Sequence, residues 1–580
     1  MTTFTRSRLI PLLAALLMSS LVLTACERKP SSPAVLSSSD SVLRYIPADT
    51  PYVLVNPEPL DDDLVRKMFG EAELLSKGYE LALRDSLTIA VDEYPEGSEE
   101  RDRAERAAVV MNDVLALFSL DGMREAGFDT NESMAVYGHG LLPVLRAKLI
   151  DPDAFETAIA DIETKAGYEL DTADIEGRRY RYAEDDEGRI VLGAFDDYVV
   201  LTFLPAGFGD DELRQLVVIE LPATDIAAAR TQATIAGDYG YTSHYMGYVD
   251  IQRIVNTFAG TPTGLDALLL EDQQSEFDSV SDVCREEIME FAGIAPRAVF
   301  GYSKIATDGV DGSMTVELRS DLAKGLMAVP AVVPGLGVDG GSLFTAGIGV
   351  DPRALRDFVE ARLDAMAADP YECELFAELE QNAEEARAAL TQPIPPVVYG
   401  FRGVVAVFEA FDVAAMQSGA VADSEAAVLV AVDDAPGLLM TAAMFSPELA
   451  ALDLQPDGEP VALELSQTAW MPEPPYVALT DDSLAVSVGG DSRARIERLL
   501  SAKGADPAPF MSFAGDAGRY YGMIGDTIGT ADDSDELSPE AREAIRDSMQ
   551  ALAAVYDRLQ VDVRLTSRGV TVDAGLTFKD

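Results

Sequence analysis

The sequence is poor in the side chains that most enzymes use for proton transfer and metal binding. It holds two histidines, three cysteines and one tryptophan in 580 residues. With only His139 and His244, an HExxH motif and histidine-rich metal sites are excluded. His244 follows Ser243, but the GxSxG motif is absent, and neighbours in sequence do not make a nucleophile–base pair. His139 stands between Gly138 and Gly140, where we expect a turn or core histidine.

Basic side chains are also scarce. Lysine and arginine total 44 against 100 aspartates and glutamates, and the formal net charge is −56. A field of this sign repels phosphate backbones, so we exclude nucleic acid as a partner. There is no P-loop. Residues 335–340 match GxGxxG, yet the match follows Pro334 and leads into a predicted strand, so we interpret it as a loop and expect no cofactor.

Long apolar runs are missing after the first 25 residues, and none reaches the ~18 residues of a membrane-spanning helix. At the N-terminus, Arg6 and Arg8 precede an apolar stretch from Leu9 to Leu23, which is too short for a stable span. The stretch ends in Leu23-Thr24-Ala25-Cys26, which resembles the lipobox of bacterial lipoproteins. That resemblance implies cleavage before Cys26, a diacylglycerol on its sulfur and acylation of the new N-terminus.

Three acyl chains would hold the mature protein stably in a membrane. Glu27 follows the cysteine, whereas an aspartate there signals inner-membrane retention in Gram-negative lipoproteins. The resemblance therefore implies an anchor at the periplasmic face of the outer membrane. The alternative is an ordinary secretory signal with a chance cysteine. Removal of residues 1–25 takes away two arginines and no acid, which changes the net charge from −56 to −58.

Four segments follow from composition and pattern. We interpret residues 1–25 as a lipoprotein signal peptide and residues 26–41 as a flexible Ser/Pro-rich tether. Beyond them strand and helix patterns alternate, which predicts an α+β protein of mainly antiparallel sheet with packed helices. The pattern of residues 42–325 returns in residues 326–580. We therefore predict two duplicated halves.

The repeat is visible in the order of local signals. A predicted strand ending near Ile150 is followed by Asp151-Pro152, an N-cap with proline in the first turn, and by a helix that stops at Gly167. Asp433-Asp434-Ala435-Pro436 has the same place in the second half. We also match residues 245–250 with residues 520–526. The clearest match closes each half: the hairpins at 298–318 and 561–578 align without a gap, with Val310 in step with Val570 and Val316 with Leu576.

Two cysteines remain once Cys26 is lipidated. Cys284 lies in the helix that closes the first half, and Cys373 follows a long helix of the second. The compartment beyond the inner membrane is oxidising, so we predict a Cys284–Cys373 disulfide that joins the halves. The alternative is two buried, unpaired cysteines, since free cysteine is among the most buried residue types.

Acidic runs are the remaining candidates for a cation site. They comprise residues 61–63, residues 184–187 and, as the weak calcium candidates, Asp532, Asp533, Asp535 and Glu536. None has EF-hand spacing, and we expect solvated loops and no metal. Trp470, the single tryptophan, is either a core residue or an anchor for a partner.

The globular part opens with Pro47-Ala48-Asp49-Thr50-Pro51-Tyr52-Val53. With the lipobox, the tether and the repeated α+β units, it resembles uncharacterised exported bacterial lipoproteins, whose chains begin with a similar strand. The resemblance implies a location and a fold, but no activity. We expect a non-enzymatic protein that binds or scaffolds an envelope protein or glycan.

Two alternatives remain open. The first is a carboxylate-dependent envelope hydrolase acting on glycans, in which two Asp or Glu residues suffice. A pair of buried carboxyls with raised pKa values facing one cleft would favour it. The second is a periplasmic carrier for a lipid or peptide, which requires a sizeable apolar cavity.

Overall fold

The computed structural model describes most of the globular chain. The described residues are 41–58, 64–65, 94–95, 97–117, 119–131, 134–271, 280–338, 340–393, 395–410, 424–444, 454–463, 473–530 and 539–579. The protein is α+β, as predicted from the sequence.

The first half contributes ten strands to the sheet. They are β1 Tyr52–Asn56, β2 Met134–His139, β3 Leu142–Lys148, β4 Asp171–Ile175, β5 Arg178–Glu184, β6 Gly188–Phe195, β7 Tyr198–Pro205, β8 Met246–Asp250, β9 Arg297–Ala306 and β10 Gly309–Glu317. The second half contributes β11 Phe344–Gly349, β12 Phe401–Ala410, β13 Glu425–Val432, β14 Val461–Ala462, β15 Tyr476–Leu479, β16 Ser483–Val488, β17 Met511–Asp516, β18 Tyr556–Leu565 and β19 Gly569–Phe578.

The helices connect and cover these strands. In the first half they are α1 Glu99–Leu117, α2 Leu120–Glu125, α3 Pro152–Ala166, α4 Asp210–Leu216, α5 Thr231–Tyr239, α6 Ile251–Ala259, α7 Gly264–Leu269, α8 Asp282–Ala292 and α9 Ser320–Leu326. In the second they are α10 Pro352–Ala368, α11 Ala377–Leu390, α12 Pro396–Tyr399, α13 Ala435–Ala443, α14 Ser492–Ser501, α15 Ala517–Thr530 and α16 Pro539–Val555. Short 3₁₀ turns lie at Val42–Tyr45 and Glu374–Phe376.

All described strand pairs are antiparallel, and together they form one 19-stranded sheet. Its spatial order is β4-β5-β6-β7-β3-β2-β1-β8-β9-β10-β19-β18-β17-β11-β12-β13-β16-β15-β14. Among the described strands, the halves are joined by the β10–β19 pair. Read outward from that pair, the nine described strands of the second half follow the same order as the first nine of the first half, and β4 has no counterpart among the described strands.

The central pair is symmetric about one position. Val310 pairs with Leu576 and Val316 pairs with Val570 across β10 and β19, while Ser313 pairs with Asp573. The hairpin alignment matches Val310 with Val570, and therefore Ser313 with Asp573. Ser313 thus pairs across the sheet with the residue to which it is aligned. The register therefore reads the same from either strand, with Ser313 and Asp573 at its centre.

Similar hydrogen bonds occur in the two halves of the chain. The N–H of Leu149 donates to the carbonyl of Asp197 at 2.8 Å, and that of Val432 donates to Asp482 at 2.9 Å. The carboxylate of Asp250 caps α6 by accepting from the N–H of Arg253. Asp516, at the start of α15, accepts from the N–H of Arg519 in the same way, at 2.8 Å.

Most predicted elements lie where the sequence placed them. Asp151 caps α3 by accepting from the N–H of Ala154, and the helix ends at Gly167 with φ +61°. The apolar pattern of residues 98–125 predicts a helix, and the structure forms two helices there, because the Ser119 side chain caps a new helix by accepting from the N–H of Gly122. The pattern of residues 60–84 also predicts a helix, but this segment lies almost wholly outside the described residues.

The match between residues 245–250 and 520–526 is wrong. The first segment contains strand β8, whereas the second lies inside helix α15. In spatial order the counterpart of β8 is β17, which likewise ends in the aspartate that starts a helix. Strand β17 ends at Asp516 and helix α15 begins at the next residue, so the apolar residues of 520–526 lie in a helix.

The core of each half lies on the same side of the sheet. In the first half it includes the fully buried Val55, Val144 and Val200. Arg146 is buried among them: its guanidinium lies 4.1 Å from the centre of the Tyr45 ring, and its Nη2 donates to the Val217 carbonyl at 2.6 Å. The second half has its own cluster, which includes Val405, Leu429, Ala485 and Ile496.

Candidate functional site

The segment Pro47–Val53 forms one wall of a cavity at an end of the central strands. Thr50 is buried and ties the segment to its neighbours. Its hydroxyl donates to the carbonyl of Tyr52 at 2.8 Å and accepts from the N–H of Gly138 at 3.1 Å. Its carbonyl accepts from the hydroxyl of Tyr248 at 3.3 Å. These bonds hold the segment across β2 and β8, with Asp49 exposed at its tip.

Close packing at the end of β2 explains why glycines stand on both sides of His139. A Cβ on Gly138 would lie 3.0 Å from the ring of Tyr52. Gly140 has φ +59°, and a Cβ there would overlap the carboxylate of Asp266. Both glycines allow close approach of neighbouring groups, and they place His139 between the segment with Asp49 and the helix with Asp266.

Helices α6 and α7 supply the opposite wall. Asp250, the last residue of β8, caps α6, and its carboxylate lies 3.5 Å from the Nε of Arg253. The backbone N–H of Asp250 donates to the Pro51 carbonyl at 2.7 Å. In α7, Oδ1 of Asp266 accepts from the N–H of Leu141 at 2.7 Å. The end of β8, the turn between β2 and β3, and helices α6 and α7 therefore surround one space.

We name this space the His139 cavity. Its volume is about 630 Å³. Most of its lining side chains are polar: Asp49, His139, Gln215, Asp250, Gln252, Arg253, Asn256, Thr257, Thr261, Thr263 and Asp266. Apolar contributions come from Pro51, Pro262, Leu265 and Met289.

Burial shapes the charges in this cavity. It raises the pKa of Asp266 above the ordinary 3.8, because the ionised carboxylate loses water; the Leu141 N–H opposes the rise and Asp49 adds to it. Burial lowers the pKa of His139 below 6.5, while Asp49 works in the other direction. The ring atom Nδ1 of His139 is buried without a hydrogen-bond partner among the described residues.

Among the described residues, two of the three carboxylates have no cation beside them. Within the described chain, no Lys, Arg or His nitrogen lies within 4 Å of Asp49 or Asp266. Arg253 faces Asp250 instead. The cavity therefore has excess negative charge beside hydroxyl and amide side chains, a set that suits binding of a polar, positively charged molecule.

A second carboxyl with a raised pKa, Asp573, does not line this cavity. It lies in β19 opposite Asp562, and its pKa rises chiefly because of burial. Arg564 donates to Asp562 at 2.7 Å and lies 3.0 Å from Asp573. This cluster stabilises adjacent strands near the Ser313–Asp573 pair. The paired arrangement expected of a glycan hydrolase is therefore not formed by Asp266 and Asp573.

Cys284 and Cys373 come together in the structure. Their Cα atoms lie 4.8 Å apart, within the range that a disulfide requires. The Glu287 carboxylate accepts from the N–H groups of Glu372 and Cys373 at 2.7 and 3.0 Å. These contacts bring α8 of the first half to the segment after α10 of the second. The bond itself stays a prediction.

Other sequence candidates do not join the cavity. Nδ1 of His244 lies 3.2 Å from the Glu58 carbonyl oxygen. Residues 184–187 form the turn between β5 and β6, where Asp185 accepts from the N–H of Glu187. Residues 335–338 are a turn before β11, so the GxGxxG match is a loop as predicted. The candidates outside the described residues are Cys26, Trp470, residues 61–63, and Asp532, Asp533, Asp535 and Glu536.

Asp49 and Asp266 were missed at the sequence level. Asp49 belongs to a segment noted only as a family marker, and Asp266 sits in a short helix without a recognisable motif. The available signal was the pair of glycines around His139. Two glycines at a strand end indicate that other groups approach the backbone closely, although they do not identify those groups.

The part of the chain that the structure describes holds no group of three His, Cys, Asp or Glu side chains suited to a metal ion. No helix of that part combines the length and apolar character needed to cross a membrane. Among known proteins, no family model, no curated protein and no solved structure matches the chain. The cavity is therefore interpreted from its own geometry.

Proposed function

We propose that the protein is a lipid-anchored envelope lipoprotein that binds a small polar ligand in the His139 cavity without transforming it. The observation that carries this proposal is the cavity wall itself. The Pro47–Val53 segment, the β2–β3 turn and helices α6 and α7 are hydrogen-bonded to one another around a space that holds two carboxylates without a cationic partner among the described residues.

Size and lining support a small-molecule site. The volume of about 630 Å³ falls within the roughly 300–1,000 Å³ typical of ligand pockets. Three threonines, two glutamines and one asparagine line it. These side chains both donate and accept hydrogen bonds, so they match hydroxyl, amide or amine groups. A lipid carrier requires an apolar cavity, which this lining does not provide.

A cavity-filling variant tests the proposal. Thr263 lines the cavity, and its side chain makes no capping hydrogen bond. Thr263→Trp therefore blocks the space without removing a structural bond, and Thr263→Val is the matched control. Thermal shifts of the full-length protein would be recorded with a panel of sugars, short peptides and polyamines. We expect at least one compound to stabilise the wild type and Thr263→Val, but not Thr263→Trp. Equal shifts in all three proteins, or none in the wild type, would contradict the proposal.

The hydrolase is the second candidate, favoured by the raised pKa of Asp266. Glycan hydrolysis uses two carboxyl groups, one as the acid and the other as the base or nucleophile, and burial raises the pKa of Asp266 in the direction that suits an acid. Incubation of the full-length protein with purified envelope glycan, followed by measurement of new reducing ends, tests it. Loss of product with Asp266→Asn and with Asp49→Asn supports this candidate, and absence of product from the wild type rejects it.

We also propose that residues 42–325 and 326–580 arose by duplication and that Cys26 carries the anchor. The repeated strand order, the Asp250 and Asp516 caps and the register around Ser313 support the duplication. The lipobox and Glu27 support an anchor at the outer membrane.

A further inference from the structure

We propose that the ligand of the His139 cavity carries a protonated amine, which binds between Asp49 and Asp266. This inference rests on the proposed function and names the chemical class of its ligand. The shared chemistry is an ammonium group on a small polar molecule, of which amino sugars and polyamines are two sources.

The charge balance of the cavity is the first argument. Three carboxylates and one guanidinium line it. Arg253 and Asp250 face each other, with Nε and Oδ2 at 3.5 Å. Asp49 and Asp266 remain without a cationic partner among the described residues, and the charge of Asp49 adds to the rise in the pKa of Asp266. Two carboxylates that share one site favour a bound cation, because it relieves their mutual repulsion.

The placement of Asp266 is the second argument. The Leu141 N–H engages Oδ1 alone, and Oδ2 has no partner among the described residues. The missing side chain of Gly140 leaves room for this carboxylate against the turn. A carboxylate held in one orientation with a free oxygen offers a defined acceptor to an N–H⁺ donor, at little entropic cost.

The neutral side chains around the carboxylates are the third argument. Asn256, Thr257 and Thr263 stand on α6 and at the start of α7, and line the same space. A bare metal ion would need several oxygen ligands converging at one point, and the described residues form no such group. An organic cation instead places its ammonium at the carboxylates and its remaining polar atoms against these side chains.

The overall charge of −56 attracts cations without any specific site. A test must therefore separate general attraction from binding in the cavity. Asp266→Asn removes one charge inside the cavity, and Asp153→Asn removes one from the exposed first turn of α3. Both variants have the same net charge, so a difference between them cannot come from the general field of the protein.

Isothermal titration calorimetry of the full-length protein at fixed ionic strength provides the measurement. The probes are glucosamine, its neutral counterpart N-acetylglucosamine, glucose and spermidine. We expect glucosamine or spermidine to bind the wild type and the Asp153→Asn variant with equal affinity. The affinity for the Asp266→Asn variant should be at least tenfold lower. Binding of glucosamine alone identifies an amino sugar as the source, and binding of spermidine alone identifies a polyamine.

Three outcomes overturn the inference, and they have different consequences. If a neutral sugar binds as tightly as its amine counterpart and binding depends on Asp266, the cavity is a ligand site but the amine class is wrong. If the amines bind all three proteins equally, their binding reflects the general field and the inference fails. If no probe binds and Thr263→Trp also changes no thermal shift across the panel, the proposed function fails with it.

Discussion

The carboxylate of Asp266 accepts a 2.7 Å hydrogen bond from the backbone N–H of Leu141, which fixes α7 against the turn between β2 and β3. The turn reaches this position because Gly140 has no side chain. One hydrogen bond and one glycine thus connect the end of a central strand with a helix far along the sequence, and both lie in the wall of the His139 cavity.

Substitution of Gly140 tests this contact. Gly167 has nearly the same backbone, φ +61° against +59°, but nothing lies within 4 Å of a Cβ there. Gly167→Ala therefore reports the cost of positive φ alone, about 1 kcal/mol. We expect Gly140→Ala to reduce the free energy of unfolding by at least about 1 kcal/mol more, because its Cβ displaces the Asp266 carboxylate. Urea denaturation measures both variants, and equal losses would show that the contact contributes nothing.

The pH dependence of stability tests the burial of His139. Its pKa is lowered by burial, so between pH 6.5 and the folded-state pKa the unfolded chain binds a proton that the folded protein does not. The free energy of unfolding therefore falls as the pH drops through this window. His139→Gln removes this contribution, so its stability relative to the wild type should rise as the pH falls from about 7.5 to about 5.5.

Urea denaturation across that range measures the difference. His244→Gln is the control for removing a histidine outside the cavity. A constant difference between wild type and His139→Gln at every pH would mean that His139 titrates alike in the folded and unfolded states.

Thiol labelling tests the link between the halves. We expect Cys284 and Cys373 to stay unlabelled in denatured, unreduced protein, and to be labelled after reduction. The bond closes a loop with a sequence separation of 89 residues, worth about 4 kcal/mol in the chain-entropy model before any strain is subtracted. Reductant should lower the wild-type melting temperature and leave a Cys284→Ala/Cys373→Ala variant unchanged. Two labels without reduction would mean that the cysteines are free.

Mass spectrometry of the mature N-terminal peptide tests the anchor. The lipobox resemblance predicts a peptide that begins at Cys26 and carries three acyl chains. Cys26→Ser should block acylation and leave the protein unprocessed at this site. An unmodified wild-type peptide that starts elsewhere would reject the lipoprotein assignment and, with it, the proposed location.

The elements with local signals could be predicted from sequence. Asp151-Pro152 and Gly167 mark the ends of α3 because capping depends on residues within one turn. Alternation with period two located the closing hairpins, since each has one apolar face. Residues 520–526 were matched to the wrong element because a short apolar run fits a helix or a strand equally well.

The site could not be assembled in the same way. Asp49 and Asp266 are distant in sequence, and only the pairing of β1 with β2 and β8 brings their segments together. Their proposed role depends on the lack of a counter-charge among the described residues around them, which is a property of three-dimensional neighbours. The glycines around His139 indicated close packing, but the packed groups become evident only in the fold.

A crystal structure of the full-length protein soaked with glucosamine tests the central claim most directly. The account predicts ligand density in the His139 cavity, with the amine nitrogen within about 3.2 Å of a carboxylate oxygen of Asp266 or Asp49. The Thr263→Trp variant, treated in the same way, should show none. An empty cavity at saturating ligand, or density only on the outer surface, would contradict it.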